Sequence, residues 1–174
     1  LSQKVCELFQ DDEYIHGYSR SSLWKHCVAV AICSKLLFRR EFRERGDNIY
    51  VAGLLHDIGI IVIDQFMHDQ FRDILKKTRS DRNNQIVFED SVLGFNHTDI
   101  GLAIAESWGF PDEMTKAIAD HHNPKDLNSE NAKIAATMYI ANYCVQSEVI
   151  GYGDAPYPDK TLFQKCLIKF HIKE

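Results

Sequence analysis

The stretch VAGLLHDIGIIVI, at residues 51–63, decides the fold of this 174-residue chain. Its first half places apolar residues at spacings of three and four, which predicts one buried helix face: Val51, Leu54, Leu55 and Ile58. The run 58–63 is β-branched and, taken alone, would also suit a strand. It continues the helical pattern and has no alternating partner, so we predict a buried helix with His56 and Asp57 inside it.

Helical periodicity extends in both directions from this stretch. The preceding helix is predicted to begin at a Ser21 or Ser22 cap and to end at Gly46, with Asp47 or Asn48 capping the next helix. Further helices are predicted at 87–93, from 98 or 99 to 109, at 111–121, at 129–148 with Ser129 as cap, and at 160–170. Residues 78–85 are predicted to form an exposed loop, and 151–158 a turn-rich loop. The pattern predicts an all-α fold, as a single helical domain over residues 1–174.

Composition narrows the class of protein. Apolar residues make up 45% and charged residues 26%, the balance of a soluble globular domain. The net charge of −5 is interspersed, which argues against a nucleic-acid partner. No window reaches eighteen uninterrupted apolar residues, so no membrane helix is predicted. The five cysteines form no CxxC pair, which indicates reduced thiols in a cytoplasmic protein.

Histidines provide the functional signal. Five of the eight lie on or beside apolar helical stretches: His26, His56, His97, His121 and His122. Burying a polar group without a partner costs about 2–7 kcal/mol, so several such groups in one small core are expected to satisfy each other. His16, His68 and His171 lie in polar or terminal contexts and are predicted to be surface residues.

Imidazole and carboxylate groups bind divalent transition metals, and the carboxylate of Asp57 has two oxygens with which to bridge two ions. Two such ions could activate a water and hold a phosphoryl group in a displacement reaction. The alternative for a single histidine such as His26 or His97 is a hydrogen-bonded core residue, and His121 and His122 would also suit a helix C-terminus. A buried hydrogen-bond network without metal therefore stays open.

Five segments, taken together and in this order, carry a resemblance to a known family: LWKHCVAVA (23–31), VAGLLHDIGIIVI (51–63), EDSVLGFNHTDIG (89–101), ESWGFPDEM (106–114) and IADHHNP (118–124). They resemble the HDOD family, a branch of the HD superfamily. The resemblance covers residues 20–148 and corresponds to the C-terminal part of the family domain. It implies an all-helical HD-type bundle and kinship with HD-GYP phosphodiesterases.

The resemblance also implies a metal site and shows where this chain departs from it. The implied ligands are His26, His56, Asp57, His97, His121 and His122, with Asn142 at the position of a later family aspartate. Asn142 lacks the charge of that aspartate, and Ile60 stands where HD-GYP enzymes carry lysine. The Gly-Tyr-Pro signature is absent after the paired histidines, since Asn123 and Pro124 follow them.

Two functions are compatible with this depleted site. The first is an HDOD-type signal-transduction module whose buried site holds one or two ions of iron, manganese, zinc or nickel and has lost catalysis. The second is a metal-dependent phosphohydrolase or cyclic-(di)nucleotide phosphodiesterase, with Asp57 as the catalytic residue. The expected partner is a signalling protein or a small phosphorylated or nucleotide ligand, with no nucleic acid and no membrane involved.

Overall fold

The structure, a computed structural model, describes residues 13–81, 84–129, 131–152 and 159–172. The helices within these ranges are α1 (Arg20–Phe42), α2 (Asp47–Leu55), α3 (Ile58–Phe66), α4 (His68–Asp81), α5 (Gln85–Leu93), α6 (His97–Ser107), α7 (Asp112–Ala119), α8 (Ala132–Ser147) and α9 (Lys160–Phe170). In this described part the only β pairing is an isolated bridge between Ile15 and Tyr18. The predicted all-α fold is confirmed.

The longest helix in the described ranges is α1. It packs against α2 and α8. α7 also packs against α2 and α8, and α3 packs against α6. One apolar cluster, which includes Val30, Ile49 and Met138, joins α1, α2, α7 and α8. A second surrounds α3 and α4 and takes in Tyr18 and Tyr152.

The stretch 51–63 is helical, as predicted, but forms two helices. α2 ends at Leu55 and α3 begins at Ile58, which leaves His56 and Asp57 at the break between them. The interval Asp47–Phe66 has the length and composition of a membrane-crossing segment. Half of it is buried inside the protein, and a buried core helix can have the same length and composition.

Several helix ends differ from the predictions. Ser19, not Ser21 or Ser22, caps α1 in a reciprocal pair with Ser22. α1 ends at Phe42, before Gly46, and Gly46 has a φ of 71° at the start of α2. Asp47 is the first residue of α2 and not its cap.

Three later helices also begin or end at residues other than those predicted. Asn96 caps α6 and accepts from the backbone N–H groups of Thr98 and Asp99. α7 stops at Ala119, so the paired histidines lie in the turn after it. Ser129 does not cap α8, because its hydroxyl donates to the carbonyl of Asp126.

The predicted loop at 78–85 is wrong for most of its described residues, although residues 79–81 are exposed as predicted. Residues 78–81 continue α4, and the hydroxyl of buried Thr78 donates to the carbonyl of Ile74 at 2.9 Å. Gln85 begins α5 and is fully buried. Polar composition suggested exposure, but these polar groups are buried because they have hydrogen-bond partners. Residues 82–83 lie outside the described part, as do 153–158 of the predicted second loop.

The four cysteines in the described ranges are free thiols. Cys27 and Cys166 are buried, whereas Cys33 and Cys144 are partly buried. Cys6 lies outside the described residues.

Candidate metal centre

Six of the predicted site residues meet at one place, although they come from four parts of the chain. α1 supplies His26, the break between α2 and α3 supplies His56 and Asp57, and α6 begins with His97. The turn after α7 supplies His121 and His122. All of them are buried except His122, which is partly exposed.

Asp57 lies at the centre and belongs to two sets of potential ligands. The His26 group consists of His26, His56 and Asp57, and the His97 group consists of Asp57, His97, His121 and His122. Within each group the potential ligand atoms lie within 4.8 Å of one another. The two oxygens of Asp57 divide between the groups, because Oδ2 faces the first and Oδ1 faces the second.

The imidazole nitrogens lie close to these oxygens. In the His26 group, Oδ2 is 3.1 Å from Nε2 of His56 and 3.7 Å from Nε2 of His26. In the His97 group, Oδ1 is 3.2 Å from Nε2 of His121 and 3.7 Å from Nε2 of His97. The Nε2 atoms of His97 and His122 are 3.0 Å apart.

Backbone contacts orient two of these rings. Nδ1 of His56 lies 2.8 Å from the carbonyl oxygen of Gly53, and Nδ1 of His121 lies 2.6 Å from that of Ile118. A carbonyl oxygen only accepts, so each Nδ1 carries a proton and each ring turns its Nε2 toward Asp57, as a lone pair when the ring is neutral. Lone pairs would then face a carboxylate, an arrangement that a cation between them stabilises.

Protonation of these histidines would supply little of the positive charge that Asp57 and the ring nitrogens require at neutral pH. Burial lowers the pKa of His26 and of His121 to about 4, and burial also lowers the pKa of His122. Burial works in the same direction at His56, but Asp57 outweighs it and raises the pKa of that ring. At neutral pH His26, His121 and His122 are therefore neutral imidazoles. Burial opposes ionisation of Asp57, but His56 and His121 outweigh it and lower the pKa of this carboxyl group.

The residues consequently fit a divalent metal ion. Nε2 of His56, Nε2 of His121 and Oδ1 of Asp57 are buried and have no hydrogen-bond partner among the described residues. Buried polar atoms normally have partners, and these three atoms belong to the two ligand groups that share Asp57. Neutral imidazole and carboxylate are suitable ligands for zinc, iron, manganese and nickel.

Asn142 and Ile60 occupy the two positions where the sequence departs from the enzymes it resembles. Asn142 lies on α8 and is buried, and its Oδ1 has no hydrogen-bond partner among the described residues. Ile60 is buried in the apolar cluster around α3. Neither position therefore provides a charge.

Glu89 and Gln85 form a hydrogen-bonded support for His97 that sequence reasoning missed. Oε2 of Glu89 accepts from the backbone N–H of His97 at 2.8 Å and lies 2.7 Å from its Nδ1. Gln85 donates to Oε1 of Glu89 at 2.6 Å. Burial opposes ionisation of Glu89, but His97 outweighs it and lowers the pKa of this carboxyl group. The sequence offered one indication of this contact, because Glu89 precedes His97 by eight residues. A helix that packs against the start of the next helix can bring two such residues together.

The remaining histidines stay outside the cluster. His16 and His171 are exposed, as predicted. His68 is only partly exposed, because its Nδ1 lies 3.0 Å from Oδ1 of Asp64.

We expect the metal-free protein to lose stability as the pH falls from about 6.5 to about 4. His26 and His121 have pKa values of about 4 in the folded protein. The unfolded chain therefore binds more protons within this window, and each histidine shifts the unfolding equilibrium by up to about tenfold per pH unit. His56 opposes the trend, since its pKa is raised.

Urea denaturation with a chelator present, repeated between pH 7 and pH 4.5, measures this effect. The exposed variant His171→Gln is the control and should follow the parent. An unfolding midpoint that stays constant over this range would contradict the expected burial of neutral imidazoles.

Comparison with known proteins places the chain in a family. The model of the HDOD domain matches residues 1–124. The chain belongs to the HDOD domain family. The match begins earlier and ends earlier than the range 20–148 that the sequence segments suggested.

Solved structures share the fold of this HDOD chain. An HDOD domain protein of unknown function from Geobacter sulfurreducens superposes with a TM-score of 0.78 at 23% identity, over 97% of this chain and 61% of that one. A "Putative phosphohydrolase" from Shewanella amazonensis SB2B gives 0.67 at 21% identity, over 92% and 58%. A "Putative signal transduction protein" from Marinobacter aquaeolei VT8 gives 0.64 at 20% identity, over 94% and 36%.

An uncharacterized protein of Treponema pallidum (strain Nichols) is 27% identical over 109 residues, which are 62% of this chain and 20% of that protein. The chain thus spans a fifth of this curated relative and about three fifths of the first two structures. At these identities the structural matches establish the fold alone.

Proposed function

We propose that this HDOD domain is a regulatory module whose buried cluster binds two divalent transition-metal ions, with Asp57 bridging them. The observation that supports this most strongly is the division of the Asp57 oxygens between the His26 group and the His97 group. Asp57 would be shared by the two ions, with His26 and His56 holding one of them. His97, His121 and His122 would hold the other.

The chemistry of the donors limits the choice of metal. Each group offers imidazole nitrogens and one carboxylate oxygen, and neither offers a thiolate. Such a set suits iron, manganese, zinc or nickel better than calcium or magnesium, which prefer oxygen ligands. When bound, these ions supply positive charge that can polarise a phosphoryl oxygen.

The two positions at which the sequence departs from the enzymes it resembles favour regulation over catalysis. Phosphoryl transfer depends on positive groups placed where charge develops. Ile60 contributes an apolar side chain to the core, and Asn142 contributes a neutral amide. We infer that the metal centre stabilises one state of the domain, and that a signalling protein or a small phosphorylated ligand senses that state in the cytoplasm.

A metal-dependent phosphohydrolase is the second candidate. The partly exposed ring of His122 gives the His97 group contact with solvent, by which a small phosphate ester could approach. The name of the Shewanella relative points the same way. In this alternative Asp57 keeps the catalytic role implied by the sequence resemblance.

Metal analysis and a turnover assay on the same preparation test both candidates. The protein is purified anaerobically without chelator, its metal content is measured, and its hydrolysis of an aryl phosphodiester and of cyclic dinucleotides is followed. The variant Asn142→Asp is assayed in parallel, because it restores a carboxylate at the neutral position.

We expect about two equivalents of metal and no metal-dependent product from the parent. Turnover by the parent would establish the phosphohydrolase and overturn the regulatory proposal. A well-folded parent that binds no added iron, manganese, zinc or nickel would overturn both and leave a buried hydrogen-bond network.

A further inference from the structure

A continuous line of buried hydrogen bonds runs from Tyr152 to the metal centre. The hydroxyl of Tyr152 donates to Oε1 of Gln85, and Nε2 of Gln85 donates to Oε1 of Glu89 at 2.6 Å. Oε2 of Glu89 lies 2.7 Å from Nδ1 of His97. The Gln85, Glu89 and His97 side chains are fully buried, and Tyr152 is 6% exposed. The line joins residues 67 positions apart in the chain.

The direction of each hydrogen bond is fixed by chemistry. An ionised carboxylate only accepts, so Glu89 requires a proton on Nδ1 of His97 and leaves the Nε2 lone pair on the side of His122 and Asp57. Glu89 also requires the amide nitrogen of Gln85 to face it, which turns the amide oxygen toward Tyr152. The Tyr152 hydroxyl must therefore donate, and it holds the amide in this orientation.

Tyr152 is held in place by a backbone hydrogen bond and by a contact of its ring. Its backbone N–H donates to the carbonyl of Ser22 at 2.9 Å, one turn before His26 on α1. Its ring meets that of Tyr18 edge to face, with centroids 5.2 Å apart. The preceding residue, Gly151, has a φ of 75°, and a Cβ there would come within 2.5 Å of the backbone nitrogen of His26.

We propose that Tyr152, through Gln85 and Glu89, is a positioning residue for the metal ion of the His97 group. This inference rests on the proposed function and adds a residue beyond the HDOD match, which ends at residue 124. Carboxylates that accept from a ligating histidine orient the ring and increase its basicity, and their loss typically costs 10–100-fold in metal affinity. The segment that follows α8 thereby controls one of the two ions selectively.

The proposal predicts that Tyr152→Phe weakens metal binding to the His97 group by about tenfold and leaves the His26 group unchanged. The ring and its packing remain, but Gln85 loses the donor that orients its amide. Glu89→Gln should weaken the same ion by up to about 100-fold, because the amide no longer requires a proton on Nδ1 of His97.

Tyr18→Phe is the matched control. Tyr18 is buried like Tyr152, and their rings are in contact, but the Tyr18 hydroxyl donates to Asp64 at 3.0 Å and not to the line that leads to His97. This variant removes a buried hydroxyl from the same apolar cluster. It should leave the affinity of both ions unchanged.

Each ion is measured alone by competition titration with cobalt(II). A His26→Ala background isolates the His97 group, and a His121→Ala/His122→Ala background isolates the His26 group. The nitrogen-15 shifts of the His97 ring in the metal-free chain report its tautomer independently, and Glu89→Gln should mix the two tautomers.

Selective loss at the His97 group in Tyr152→Phe, absent in Tyr18→Phe, would support the inference. Equal loss at both groups, or no loss, would overturn it while leaving the proposed metal site intact. Failure of the parent to bind cobalt at either group would overturn the proposed function and this inference together.

Discussion

Asp57→Asn is expected to abolish binding of both metal ions. The change removes the charge from the one side chain that belongs to both groups, although it preserves its size. Loss of a supporting residue around a metal costs about 10–100-fold in affinity, so loss of a shared charged ligand should cost at least about 100-fold at each ion. Metal analysis after gel filtration, followed by cobalt titration, measures the result.

The control for this variant is Asp64→Asn. Asp64 lies on α3, is also buried, and accepts from Arg20 at 2.6 Å and from Tyr18 at 3.0 Å, outside both metal groups. It reports what removal of a buried carboxylate does to the fold alone. Retention of two equivalents by a folded Asp57→Asn protein would show that Asp57 does not bridge the ions.

The histidine cluster could be predicted from sequence because its members interrupt apolar helical patterns. His56 and Asp57 stand inside the apolar stretch 51–63, and burial there obliges polar groups to find partners. In the structure they lie together with His26, His97 and the paired histidines. Helical periodicity therefore predicted the all-α fold, and the polar residues that interrupt it predicted the members of the cluster.

The support behind His97 could not be predicted in the same way. Gln85 lay in a polar stretch whose composition indicated exposure, and Tyr152 lay in an apparent loop. Their burial depends on a hydrogen bond across 67 positions, which no local pattern encodes. Helix caps such as Ser19 and Asn96 were missed for a related reason, since several neighbouring polar residues were equally plausible caps.

Gly59 defines the distance between α3 and the start of α6. A Cβ at this position would lie 2.1 Å from the carbonyl oxygen of His97 and 2.9 Å from its Cα. Both atoms belong to the backbone, so no side-chain rotation relieves the overlap and α6 must move. His97 is the first residue of α6 and a potential metal ligand, so the same movement displaces it from Asp57.

We therefore expect Gly59→Ala to reduce the free energy of unfolding by about 3 kcal/mol or more and to impair the His97 group. Gly101→Ala is the matched control within a helix, because its closest contact would be a side-chain methyl group of Ile118 at 2.9 Å. That methyl group can shift, so we expect a loss nearer about 1 kcal/mol. Urea denaturation measures stability, and cobalt titration measures each ion.

The two readouts separate the contact from a general loss of stability. If overlap with the His97 backbone is the cause, Gly59→Ala protein that remains folded should bind the ion of the His26 group more nearly normally than that of the His97 group. The backbone atoms that Gly59 approaches belong to His97, whereas His26 lies on α1. Equal stability of Gly59→Ala and Gly101→Ala would show that α6 can move away from α3 at little cost, and that the close approach of these helices does not hold the metal centre together.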